Sequence, residues 1–79
     1  MNIEWDPYAI EDWQRLGLED AARVARAVQQ WAQSGAGLVE VTEGAGVYRL
    51  YAGRYVVRFL VDSTTDTMHV VQIVRRRKR

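Results

Sequence analysis

After Leu38 the sequence breaks into short strand-like runs joined by turns too short to hold a crossover helix, and this limits the fold more than any other feature. Val39-Glu40-Val41-Thr42 alternates, and Glu43-Gly44-Ala45-Gly46 has the composition of a turn. Val47–Ala52, Tyr55–Asp62 and Thr67–Val74 are rich in β-branched and aromatic residues, with Gly53-Arg54 and Ser63–Asp66 as the turns between them. Parallel neighbours would need a connection of about a dozen residues. These runs must therefore pair antiparallel, as a meander.

The front of the chain follows a different period. Asn2-Ile3-Glu4-Trp5 alternates polar and apolar, as a half-buried strand does. Asp6-Pro7 is a helix start, with Asp6 as N-cap and Pro7 at the first helical position. Ile10, Trp13 and Leu16 recur at helical spacing, and Gly17 is placed to end that helix. A second helix is expected from about Leu18 to Gln33, with Ala21, Val24, Ala25, Val28, Trp31 and Ala32 as its apolar stripe. Ser34-Gly35-Ala36-Gly37 breaks it. The expected fold is α+β: an N-terminal strand and a helical hairpin packed on a curved antiparallel sheet of about four strands. At 79 residues it is expected to be one domain, 1–79, with a basic tail over 75–79.

Composition removes several kinds of chemistry. There is no cysteine, so thiol catalysis, disulfides and thiolate metal sites are excluded. A single histidine, His69, rules out a histidine pair, and no metal or cofactor is expected. Neither Gly35-Ala36-Gly37 nor Gly44-Ala45-Gly46 lies between a buried strand and a helix, so both are turns rather than phosphate-binding loops. Ser34 and Ser63 lie in loops with no base nearby in sequence, and Trp5, Trp13 and Trp31 fit core positions. No apolar run approaches the roughly 18 residues of a membrane span, and Met1–Asp6 lacks a basic leader segment. The expectation is a soluble, cytoplasmic protein.

The charges are unevenly placed. Residues 1–45 carry three arginines against eight acids, and residues 46–79 carry eight cations against two acids. Ten of the eleven basic residues are arginine, whose planar guanidinium matches phosphate and carboxylate oxygens in pairs. Alternation places Tyr48, Leu50 and Ala52 with Tyr55, Val57, Phe59 and Val61 under the helices. Arg49, Tyr51, Val56 and Arg58 then share the open face. The last strand is apolar on both sides, with Met68, Val70 and Val74 against Val71 and Ile73. The open-face cluster of Arg49, Tyr51, Arg54, Arg58 and Arg76 combines phosphate-binding charge with a stacking ring, as single-stranded RNA sites do. If it cleaves RNA, arginines would stabilise the extra phosphorane charge during attack by a 2′-hydroxyl.

The strings Gly46-Val47-Tyr48-Arg49-Leu50-Tyr51-Ala52-Gly53-Arg54-Tyr55-Val56-Val57-Arg58-Phe59 and Met68-His69-Val70-Val71-Gln72-Ile73-Val74-Arg75-Arg76 resemble the RelE/ParE toxin superfamily. The matching forms there are "g-Y-R-L-r-v-G-d-Y-R-V-r-F" and "V-x-V-l-x-V-g-H-R", and the resemblance covers nearly the whole chain. It implies a toxin of a type II toxin–antitoxin pair, inhibited by a cognate antitoxin. The implied activity is ribosome-dependent cleavage of mRNA, with Arg49, Arg58 and Arg76 holding and stabilising the phosphate. Tyr51 would stack on a base, and Arg54, Arg75 and Arg77 would contribute to RNA binding. Val56 and Arg75 replace an arginine and a histidine of the family pattern, and no C-terminal tyrosine follows Arg76. These departures keep open an alternative: a ParE-type toxin acting on DNA gyrase, or a catalytically weakened homologue serving as a protein-binding module.

Overall fold

The computed structural model describes residues 1–41 and 46–77. Thr42, the turn residues Glu43 to Ala45, and Lys78 and Arg79 of the expected tail lie outside the described residues.

Strand β1 (Asn2–Trp5) gives way at Asp6 to helix α1 (Pro7–Gln14). Asp6 Oδ1 accepts a hydrogen bond from the Tyr8 amide at 2.9 Å, and Pro7 supplies the first helical position without wasting a donor. The helix closes at Arg15 rather than at Gly17, and Gly17 instead caps the start of α2 (Leu18–Ser34). Glu19 and Asp20 sit in the first turn of α2, where negative charge complements the helix dipole. Gly35 ends it at φ 71°, a left-handed conformation in which its amide bonds the Trp31 carbonyl at 2.8 Å. Among the described residues no helix is long and apolar enough to cross a membrane.

Strands β2 (Val39–Val41), β3 (Tyr48–Ala52), β4 (Tyr55–Asp62) and β5 (Thr67–Arg75) form the expected antiparallel meander. β1 joins it as a fifth strand, parallel to β5 with Asn2 opposite Thr67 and Trp5 opposite Val70. Among the described residues the sheet order is β1-β5-β4-β3-β2, so the sheet is mixed and five-stranded rather than antiparallel with about four.

One face of the sheet meets the helices. Val24, Val28 and Ala32 of α2 and Ala9 of α1 pack on Leu50, Ala52, Val57, Phe59, Met68, Val70 and Ile73. Phe59 is fully buried, its ring stacked 5.1 Å from Tyr48 and tilted 4.6 Å from Trp31. Trp5 and Trp13 meet edge to face at 6.3 Å at the other end, and Trp13 Nε1 donates to the Ala21 carbonyl at 2.9 Å.

The last strand departs from the expected alternation. Arg58 pairs with Gln72 but Phe59 pairs with Val70, so Val71 is an extra residue in β5. Such a bulge reverses which side chains face which way from that point on. Ile73 therefore joins Met68 and Val70 in the core, and Val74 moves to the opposite face beside Val56. Val56 is only 1% exposed although it faces away from the helices, because Tyr51 and Val74 flank it.

Candidate anion-binding site

The face away from the helices carries its polar residues in rows across the strands. Glu40 of β2 stands opposite Arg49 of β3, Arg49 opposite Arg58 of β4, and Arg58 opposite Gln72 of β5. The next row is Tyr51, Val56 and Val74, and Arg76 lies just past the end of β5. Counting by twos from buried Val70 would send Arg76 beneath the helices. The bulge at Val71 brings it to the open face instead. Its main chain is anchored there by a 2.7 Å hydrogen bond from the Arg76 amide to the Arg54 carbonyl.

Glu40, Arg49, Tyr51, Val56, Val74 and Arg75 to Arg77 enclose a basin of about 660 Å³. Tyr51 is its centre. The Arg76 guanidinium lies 4.9 Å from the Tyr51 ring centroid and that of Arg49 5.8 Å. Such contacts are worth about 0.5–1 kcal/mol each at an exposed site. The Tyr51 hydroxyl donates to Glu40 Oε1, and Arg49 Nη1 stands 3.6 Å from the same oxygen. The hydrogen bond to Glu40 holds the Tyr51 hydroxyl above a tyrosine's ordinary range, partial desolvation and the carboxylate's charge add to this, and Arg49 and Arg76 oppose it. At neutral pH Tyr51 is thus a neutral donor and an aromatic platform, not a phenolate.

Among the described residues four arginines line the basin against one carboxylate, so its field favours anions. Two guanidiniums beside one ring can hold a phosphate while an adjoining base stacks. Glu40 is the carboxylate placed to accept a proton there. Among the described residues no three histidine, aspartate or glutamate side chains converge as a metal would require.

Of the residues singled out from sequence, Arg49, Tyr51, Arg75, Arg76 and Arg77 come together around the basin. Arg58 lies on the same face in the neighbouring row, where its Nη1 donates to Gln72 Oε1 at 2.8 Å, and it does not line the basin. Arg54 turns toward the helices, its Nε 3.8 Å from Asp20 Oδ1, and serves the site through its carbonyl. His69 stands toward the β1 edge of the face, its Nδ1 3.1 Å from Glu4 Oε2. Sequence reasoning missed Glu40. Its signal was the alternation Val39-Glu40-Val41 combined with antiparallel pairing to β3, which sets a carboxylate opposite Arg49.

No protein-family model matches the chain, and no curated protein matches it in sequence. Solved structures do match it. An archaeal RelE–RelB complex from Pyrococcus horikoshii OT3 superposes with a TM-score of 0.84 at 16% identity, covering 99% of this chain and 97% of that one. The isolated E. coli RelE toxin gives a TM-score of 0.83 at 12% identity, over 99% of this chain and 86% of that one. The chromosomal ParDE toxin–antitoxin system of P. aeruginosa gives 0.63 at 22% identity, over 98% and 97%. At these identities the likeness is one of fold. The chain has the RelE/ParE toxin fold that its sequence motifs resemble.

Proposed function

We propose that the chain is the toxin of a toxin–antitoxin pair, and that its basin binds and cleaves mRNA on the ribosome. The observation that carries this reading is the pair of guanidiniums, from Arg49 and Arg76, set over one tyrosine ring beside a carboxylate. Arg49 and Arg76 grip the scissile phosphate, and Tyr51 offers its ring to an adjoining base after the guanidiniums turn to the phosphate. Arg58, in the next row, meets the neighbouring phosphate, and Arg75 and Arg77 add to the field. Glu40 takes the proton of the 2′-hydroxyl as the 2′-oxygen bonds to phosphorus and the bond to the 5′-oxygen breaks. Tyr51, hydrogen-bonded to Glu40, gives its proton to the leaving 5′-oxygen and regains one from Glu40. The products are a 2′,3′-cyclic phosphate and a 5′-hydroxyl.

The inhibitor in this reading is an acidic, partly disordered antitoxin segment, which orders over the same arginines and competes with RNA. A second reading, a toxin directed at DNA gyrase, is favoured by one feature. The basin holds Arg75 where the nuclease pattern has histidine, and His69 lies outside it. Expression of the chain in bacteria, with mapping of mRNA 5′ ends, separates the two. The nuclease reading expects rapid loss of translation with cleavage at fixed codon positions, relieved by Arg76→Ala. DNA damage and filamentation would favour gyrase, and the absence of any growth defect would favour a binding module.

A further inference from the structure

β5 has different neighbours along its two halves. Over its first half it lies beside β1, whose Asn2 amide bonds the Asp66 carbonyl at 2.8 Å and whose following residue Asp6 bonds the Val70 carbonyl at 2.8 Å. Even-numbered residues there turn their main-chain groups toward β1. At Asp6 the chain leaves for α1, and among the described residues no strand lies beside the edge of β5 beyond Val70. The extra residue Val71 shifts the main-chain phase as well as the side-chain phase. In an unbroken alternation the Ile73 amide would point at β4. In the bulged register it points out of the open edge, where a free amide would be costly in a partly buried place.

Asp12 of α1 meets it. The Ile73 amide donates to Asp12 Oδ2 at 3.1 Å, a partly buried contact between residues 61 apart in sequence. The other carboxylate oxygen faces Arg15 Nη1 at 3.9 Å, and the Asp12 side chain is 27% exposed. An acceptor at this place matches the phase that β5 has only when bulged. That same phase carries Val74 and Arg76 to the open face, across the sheet from α1.

We propose that Asp12 is a positioning residue for the basin: by holding the Ile73 amide it keeps β5 in its bulged register, and so keeps Arg76 over Tyr51. The effect on RNA rests on the anion-binding reading above, whereas the effect on Arg76 does not. The test uses the full chain and two readouts. One is the nuclear Overhauser contact between the Tyr51 ring and the Arg76 side chain. The other is binding of a short single-stranded RNA as a function of salt.

Asp12→Ala is expected to abolish the Tyr51–Arg76 contact and to flatten the salt dependence by about one phosphate contact, as Arg76→Ala does. The double variant Asp12→Ala/Arg76→Ala should bind no more weakly than Arg76→Ala alone, because both remove one interaction. Asp12→Asn, whose amide oxygen still accepts, should retain both readouts. Val28→Ala, a core change on α2, should lower stability yet leave both readouts intact in the folded fraction. In the unaltered chain the Ile73 amide should exchange slowly with solvent although it points away from β4. A Tyr51–Arg76 contact that survives Asp12→Ala, additive losses in the double variant, or an Ile73 amide exchanging like a free one would each overturn the proposal. If Asp12→Ala removes the contact while Arg76→Ala leaves RNA binding unchanged, the positioning role stands and the RNA reading fails.

Discussion

Replacing Glu40 by glutamine should move binding and cleavage in opposite directions. Glu40 holds Arg49 at 3.6 Å, and the two side chains are 58% and 44% exposed. Unit charges at that distance attract by about 1 kcal/mol in water, and exposed pairs measured in proteins give about 0.2–1 kcal/mol. Glu40→Gln releases Arg49 from this pairing, so a short RNA should bind more tightly by up to about fivefold, the factor that ~1 kcal/mol supplies. Loss of the proton acceptor should slow cleavage by about 10²–10⁴.

The same change should lower the Tyr51 titration, followed by phenolate absorbance, because the hydrogen bond that is the first cause of its upward shift loses its charged acceptor and the carboxylate's own charge is gone. A tyrosine raised in the folded state contributes stability that is complete below pH 10, the ordinary tyrosine value, and is lost as pH climbs through the raised one. Glu40→Gln should shrink that alkaline loss. Fluorescence anisotropy and single-turnover cleavage of the same oligonucleotide read the first two effects together. Tighter binding with unchanged cleavage would remove Glu40 from the chemistry. Weaker binding would refute its role as the counter-charge of Arg49.

Other consequences concern the frame. Phe59→Ala empties the fully buried centre of the ring cluster with Trp31 and Tyr48 and should cost about 3–5 kcal/mol in urea unfolding. Gly53 turns between β3 and β4 at φ 62°, and a Cβ there would stand 2.7 Å from Arg23 Cδ. Gly53→Ala should therefore destabilise by at least the ~1–2 kcal/mol of a left-handed residue, with a lowered midpoint in the same assay.

The order of elements was legible because local chemistry fixes it. Asp6-Pro7 starts α1, Gly35 ends α2, and the two-residue link Gly53-Arg54 joins β3 to β4. What escaped is non-local. β1 pairs with a strand more than sixty residues away, and nothing within Asn2–Trp5 names its partner or direction. The bulge escaped because β5 is apolar on both faces, so alternation there carries no phase to be broken. Val56 was expected in the open, but the open face has an apolar floor of its own under Tyr51. Arg54 and Arg58 share the charge of the site residues yet find partners of their own in Asp20 and Gln72. Composition cannot tell an arginine that awaits an anion from one already paired.

The most direct measurement is the salt dependence of binding between the full chain and a short single-stranded RNA. Four arginines among the described residues line the basin, so log affinity should fall against log salt with a slope of roughly −3 at about 0.7 per contact. Arg49→Ala and Arg76→Ala should each reduce that slope by about 0.7, while Arg26→Ala, exposed on α2, should leave it unchanged. A slope that survives both basin substitutions, or that falls equally with Arg26→Ala, would mean that the bulge has brought Arg76 to a face that does not bind nucleic acid.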